Sequence, residues 1–476
     1  MVLYARIVTL APLDWTIVGL FLLGLFGLGF SARSGDRSVL GFLAAGRGLT
    51  LPLFVATLVS TWYGGILGIG ESVSYYGVGT WLLMGVPYYV FAAVYAAWLA
   101  PRVREGTAIS IPERMDQRFG RTSGLAAAGL LFLLAVPATH SLMLGTILSL
   151  LTHLSLPVAV TVATIVATLF LYKGGLLADV RAGVLAFIGM YVGFGAILLF
   201  CMSQTSLGNM WRALPQESRS FTGGQSPLAI ASFFILGAWT IADPGFHQRV
   251  SSSASPEVGR RGVLVSILFW CLFDLLSVGT GLYALTLLKP LPTNLIEIFP
   301  ALGDKVLPPG LKGLFLCGMA GTILSALVGY TLVAGASFGR EIVARIRPMD
   351  DEGVKRWTRL GFGLSTVLAI VLAQAIPSVV ALWYGWAGAV VGAVLLPMWL
   401  AYRGTVKIAD RAVAASMIVS FLAAIAWLVY GRRTNNDFLE VVLYGQRFGL
   451  GTLVPGLLVS AIILGTGRLT ARRETI

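Results

Sequence analysis

Thirteen apolar runs divide this chain, at roughly residues 13–31, 50–70, 77–100, 123–150, 156–173, 182–202, 227–243, 261–288, 310–337, 357–376, 378–402, 411–431 and 449–466. Each is close to the roughly 20 residues that a helix needs to cross a bilayer. In hydrocarbon every backbone N–H and C=O must be satisfied internally, which leaves helices or closed barrels. Unbroken apolar runs, without period-two alternation, select helices. The expected class is an all-α polytopic membrane protein with about thirteen transmembrane helices. Composition agrees: 57% of residues are hydrophobic and 12% charged, against about 25% charged in soluble domains. The first run, from Leu13 to Phe30, is long for a signal sequence and lacks a clear cleavage site, so it reads as a retained helix.

A net charge of +13 would suit a nucleic-acid partner, but the basic residues are scattered through short loops. The loops after runs one, three, five, seven, nine and eleven, with the C-terminal segment, hold 25 of the 34 Lys and Arg residues. Arg33, Arg37, Arg47, Arg102, Arg104, Arg249, Arg260, Arg340 and Arg345 are among them. Basic loops stay in the cytoplasm. The expected topology is a multi-pass protein of the cell inner (plasma) membrane, N-terminus outside and C-terminus cytoplasmic. The expected partners are the lipid bilayer and a small solute, with no nucleic acid.

Within the second run, Ser60-Thr61-Trp62-Tyr63-Gly64-Gly65-Ile66-Leu67-Gly68 gathers small residues around two aromatics. Glycine weakens a helix, and irregular backbone at membrane depth survives only where it lines a cavity or is buried in protein. Close helix packing explains the same glycines equally well. The seventh run is also interrupted, at Gly237-Ala238-Trp239-Thr240 and Asp243-Pro244-Gly245. Runs two to six and seven to eleven form two blocks of five with opposite orientations, an inverted-repeat design that places its site at broken helices. The expected division is a single transporter domain: an extra helix at 13–31, repeats at 50–202 and 227–402, and two further helices within 411–466.

Asp274 lies mid-run, where a carboxyl is costly and by default functional; it serves either as a proton carrier or as a hydrogen-bonded packing group. Cys201, Cys271 and Cys317 read as buried apolar residues. Gly335-Ala336-Ser337-Phe338-Gly339 fits the G-x-S-x-G pattern but ends an apolar run instead of a strand. His140 reads as a packing histidine. Neither a Walker loop nor a zinc spacing occurs, so an enzyme is not expected.

Several stretches resemble the sodium:solute symporter family. Phe42-Leu43-Ala44-Ala45-Gly46-Arg47 is similar to its "FLAGR" element, and Ile111-Pro112-Glu113-Arg114 through Arg118-Phe119-Gly120 to its "P-E…RFG" loop. Gly174-Gly175-Leu176 with Asp179, Asp243 with Gln248-Arg249-Val250, and Gly313-Leu314-Phe315 through Ser325 follow in the family's order. The resemblance implies the leucine-transporter fold, five plus five helices in inverted repeat. It also implies sodium-coupled symport of a small polar organic solute by alternating access.

The resemblance further implies a sodium ion held by main-chain carbonyls near Ser60 and Tyr63 and by a hydroxyl pair on the ninth helix. Ser325 is the first hydroxyl, but the second position is Ala326, and the two positions some members use for another sodium are Val328 and Gly329. Thr322, one turn before Ser325, either replaces the missing ligand or bonds its own helix. Asp179 reads as an acid at the cytoplasmic start of the sixth helix, on the ion's exit path or stabilised by the helix dipole. The alternative to Na+ is H+ carried by Asp274. For the solute, Trp62, Tyr63, Trp239, Trp383, Tyr384 and Trp386 are expected to converge, resembling the choline- and proline-carrier branches. A non-transporting solute sensor is the reading from another class; the chain leaves no room for a kinase after its last helix, so a sensor would act through a separate partner.

Overall fold

The computed structural model describes residues 8–31, 38–152, 154–169, 171–404, 407–434, 440–443 and 446–473. Arg33 and Arg37 of the expected basic loops lie outside these residues. Within the described residues each of the thirteen apolar runs contains a helix. Numbered in chain order, they are α1 (Pro12–Ser31), α2 (Leu51–Tyr76), α3 (Trp81–Glu105), α4 (Arg121–Leu151), α5 (Leu156–Leu169), α6 (Gly175–Gln204), α7 (Pro227–Ala242 and Pro244–Ser251), α8 (Pro256–Leu287), α9 (Leu311–Ile346), α10 (Asp351–Ala375), α11 (Val379–Arg403), α12 (Asp410–Arg433) and α13 (Leu453–Gly467). Among the described residues, ten of these are long and apolar enough to cross a membrane, or eleven with the bent α7, while α5 and α13 are shorter. Among the described residues, the strands are those of a small antiparallel hairpin, β1 (Glu440–Leu443) with β2 (Gln446–Gly449).

Helix ends follow local chemistry. Ser226, Ser255 and Asp243 each accept a backbone N–H at the start of the helix they precede, satisfying one of the four orphan donors there. Asp14, fully buried, accepts from Gly310 N and Gly313 N at 2.7 Å and so caps α9 from α1. Leu199, Leu268 and Leu422 are 59–70% exposed on the outside of the bundle, as an apolar surrounding solvent requires.

Small residues set the inner spacing. A Cβ at Gly318 of α9 would lie 2.5 Å from the Gly189 carbonyl of α6, so these two helices touch backbone to backbone. α12 and α13 pack together and against α11, while α1 covers α6 and α9.

Among the described residues, α3 carries π turns at Trp81–Gly85 and Tyr95–Leu99 and α9 one at Ser337–Val343, and four further helices are interrupted near the core. α2 tightens into a 3-10 turn at Tyr63–Gly65. α4 breaks at Ala135 to Pro137, where proline removes a donor. α7 bends by 41° at Asp243, and α11 contains a π turn at Leu382–Ala387. One expectation changes here. The seventh run does not end at Asp243, because Pro244–Ser251 continues it, and Arg249 is therefore no loop residue: it is 1% exposed. The sixth helix also begins earlier than residue 182, at the Gly175 break (φ 53°). That places Asp179 a full turn inside the helix, completely buried, instead of at a solvated start.

Candidate functional site

The interruptions of α2, α4, α7 and α11 face a common cavity of about 1060 Å³, counting its open mouth. α2 supplies Thr61, Trp62, Tyr63, Gly65 and Ile69; α3 supplies Met84, Gly85, Tyr88 and Tyr89. Thr139 and His140 come from α4, Trp239 and Asp243 from α7, Asp274 from α8, Tyr330 from α9, and Trp383 and Trp386 from α11. Trp62 stacks on Trp270 at 4.9 Å and meets Tyr88 edge-on at 5.1 Å. His140 stacks on Tyr330 at 5.3 Å. No Lys or Arg lines the cavity among the described residues.

The glycines of the second run act here by close approach. A Cβ at Gly64 would stand 2.1 Å from the Ala326 Cβ, and one at Gly65 would stand 2.5 Å from the Trp383 ring. The helix does not unwind fully, since the Tyr63 carbonyl accepts the Ile66 N–H within the 3-10 turn.

Two carboxyls give the cavity its polarity. Asp243 accepts from Phe246 N at 2.6 Å, Tyr330 Oη at 2.8 Å and Trp239 Nε1 at 3.1 Å. It thus ties the α7 bend to the cavity wall. Three donors around one carboxylate suit its ionised form. Asp274 is held by two tyrosines: its Oδ1 lies 2.7 Å from Tyr63 Oη and its Oδ2 accepts from Tyr89 Oη. Tyr63 Oη also lies 2.8 Å from the Trp270 carbonyl.

The hydroxyls near the expected sodium position each donate a hydrogen bond within the protein. Ser60 Oγ donates to the Thr57 carbonyl at 3.3 Å, and Thr322 Oγ1 to the Gly318 and Met319 carbonyls at 3.3 and 2.9 Å. Thr322 thus bonds its own helix. Ser325 Oγ donates to Asp179 Oδ1 at 3.3 Å, while Asp179 Oδ2 takes Arg249 Nη2 at 2.7 Å. The Arg249 guanidinium thus takes the charge of the carboxylate that Ser325 contacts.

Of the aromatic residues expected at the solute site, Trp62, Tyr63, Trp239, Trp383 and Trp386 line the cavity. Tyr384 does not: it is buried against Phe233 at 4.9 Å, because neighbours on a helix point about 100° apart. Tyr88, Tyr89, Asp243 and Tyr330 belong to the site and escaped the sequence reading, as did the place of His140 on the cavity wall. Asp243 had a local signal, an acid directly before Pro-Gly at a helix break. The tyrosines had none, because their place depends on packing between helices.

The sequence model of the sodium:solute symporter family matches residues 42–402. The chain belongs to the sodium:solute symporter family. The family and its fold are those of transporters, not enzymes. Among curated proteins, this symporter-family chain is similar to an uncharacterised Escherichia coli K12 symporter, YidK, with 25% identity over 363 residues, covering 70% of this chain and 63% of that protein. The human high affinity choline transporter 1 is 23% identical over 390 residues, covering 74% and 65%. The matched region thus spans less than two thirds of either relative. Among solved structures, a Na+-coupled sialic acid symporter, substrate-bound and outward-open, superposes with a TM-score of 0.79 at 14% identity, covering 97% of this chain and 98% of that one. Mhp1 of the nucleobase-cation-symport-1 family, closed with bromovinylhydantoin, gives 0.58 at 13% identity, covering 92% and 97%. These likenesses establish the leucine-transporter fold expected from the sequence.

Proposed function

We propose that this chain is a secondary active transporter, a symporter that carries a small polar organic solute by alternating access with sodium as its coupling ion. The observation that carries the reading is the aromatic cavity built where four helices are interrupted. Discontinuous helices around a central cavity are how secondary transporters hold cargo between two rocking halves. Family membership supports sodium as the ion, as does the likeness in fold to a symporter described as Na+-coupled.

Within that reading the solute carries a cationic nitrogen. Trp62, Tyr63, Trp239 and Trp383 form the wall, and aromatic faces attract a desolvated cation by about 0.5–2 kcal/mol each. Asp243 supplies the negative charge, and no lining Lys or Arg opposes it. The human relative's description as a choline transporter points the same way. The repeats fall at 50–202 and 227–402, with α2 and α7 in equivalent places and both interrupted. The basic loops support a cytoplasmic C-terminus in the cell inner membrane, with Arg249 removed from their number.

One observation favours a second reading, in which the coupling ion is a proton on Asp274. Tyr63 Oη has one hydrogen and two neighbours that accept, the Trp270 carbonyl and Asp274 Oδ1. Both contacts are satisfied when Asp274 is protonated and donates to Tyr63, which donates to Trp270.

Reconstituted uptake tests these readings, using radiolabelled choline and related amines and amino acids as probes. Accumulation driven by an inward sodium gradient supports the first. Accumulation driven by an inward proton gradient without sodium, lost in Asp274→Asn, replaces it with the second. Saturable binding with no flux would make the chain a sensor and overturn both.

A further inference from the structure

We propose that the Arg249 guanidinium is a tethered cation filling the crossing of α2, α6 and α9, and that this crossing is closed to sodium. Any coupling ion of the carrier proposed above then binds elsewhere in the molecule.

Arg249 stands on the second half of α7, just past the bend, and is 1% exposed. Its guanidinium reaches oxygens of two other helices, α2 and α6, and of its own. Nη2 spends both protons, on Asp179 Oδ2 of α6 and Thr61 Oγ1 of α2, each at 2.7 Å. Nη1 donates to the Gly245 carbonyl at 3.2 Å and Nε to Thr57 Oγ1 at 3.4 Å. Thr57 and Thr61 are four apart and so share a face of α2. Ser325 of α9 completes the group by donating to the other oxygen of Asp179. A carboxylate and hydroxyls around one positive centre form the ligand set of a small hard cation, here satisfied by nitrogen donors.

The neighbouring side chains are cut to fit an arginine. A Cβ at Gly329, one turn beyond Ser325, would lie 2.9 Å from Arg249 Nη2 and 3.2 Å from Asp179 Oδ2. Any larger residue would press on the guanidinium. Ala326 sits against Gly64 and offers no hydroxyl. Asp179 is completely buried, where an unpaired charge is costly and one counter-charge suffices. Arg249 supplies that charge covalently, and a second cation beside it would be repelled where screening by water is weak.

Thr61 also lines the solute cavity. The tethered charge is therefore one hydroxyl away from the cargo, on a helix half that begins at Asp243. The Arg249–Asp179 pair, with the Thr57 and Thr61 hydroxyls, links the second half of α7 to α6 and α2.

The test uses the purified full chain in detergent, following the midpoint of thermal unfolding in NaCl against KCl at equal ionic strength. The wild type is expected to show no sodium-specific rise that Ser325→Ala removes. Arg249→Gln leaves Asp179 unpaired and is expected to gain a sodium-specific rise, abolished by adding Asp179→Asn. A folded Arg249→Gln protein that sodium does not stabilise would overturn the proposal. If Arg249→Gln fails to fold, the wild type and Ser325→Ala decide: a sodium-specific rise present in the first and absent in the second overturns it, and any other pattern upholds it. Uptake is not read in this experiment, so its failure is separate from failure of the carrier reading.

Discussion

Asp274→Asn is an isosteric change whose consequence follows from a proton count. With Asp274 protonated, its Oδ2 accepts from Tyr89 and its other oxygen donates to Tyr63, which donates to Trp270. Asparagine reproduces that pattern: its carbonyl accepts from Tyr89 and its amide donates to Tyr63. Stability in detergent should then change by no more than about 0.5 kcal/mol, the scale of substitutions that break no buried feature. Asp274→Ala instead leaves the Tyr89 hydroxyl without its acceptor and should cost about 1–3 kcal/mol. With Asp274 ionised, Asn would lose two charge-assisted hydrogen bonds at about 1.5–3 kcal/mol each. The assay is equilibrium unfolding of both variants near neutral pH. An Asn variant destabilised by about 3 kcal/mol or more would refute the count and make Asp274 a fixed negative charge.

Trp62→Ala, Trp239→Ala and Trp383→Ala should each weaken binding of the transported solute by about five- to thirty-fold, the equivalent of 1–2 kcal/mol of lost aromatic contact; the Phe variants should be milder, and titration calorimetry reads both. Tyr330→Phe should weaken binding less than Asp243→Asn does, because it removes one of three donors and not the charge they hold. Gly64→Ala should overpack the crossing with Ala326, costing about 1–3 kcal/mol or more in thermal unfolding and stopping uptake. Thr107→Cys and Pro348→Cys, at exposed positions in two basic loops, should react with membrane-impermeant thiol reagents only from the cytoplasmic face; labelling of intact cells from outside would reverse the orientation.

What the sequence made legible was what hydropathy and helix-breaking residues encode. The apolar runs and the interruption at Tyr63–Gly65 follow from length and glycine content, while the convergence of Trp62, Trp239 and Trp383 follows from the fold that the family resemblance implied. The errors share a cause as well. Arg249 reads as a loop residue because Asp243-Pro244-Gly245 ends an apolar run, and hydropathy cannot see the eight-residue helix that continues beyond the 41° bend inside the protein. Tyr384 was grouped with Trp383, although adjacent residues on α11 face different neighbours. Tyr89 and Tyr330 look like ordinary helix aromatics until Asp274 and Asp243 stand opposite them. Such pairings form between helices far apart in sequence, which a periodicity along one helix does not carry.

The central claim, that this chain moves solute against its gradient at the expense of an ion gradient, is tested most directly in proteoliposomes. The decisive measurement is internal solute concentration over time, with an inward sodium gradient at fixed pH and then an inward proton gradient without sodium. The account expects accumulation above the external concentration under one of these gradients, collapsing when an ionophore dissipates it. Solute that merely equilibrates under both gradients, or binds without entering, would contradict it.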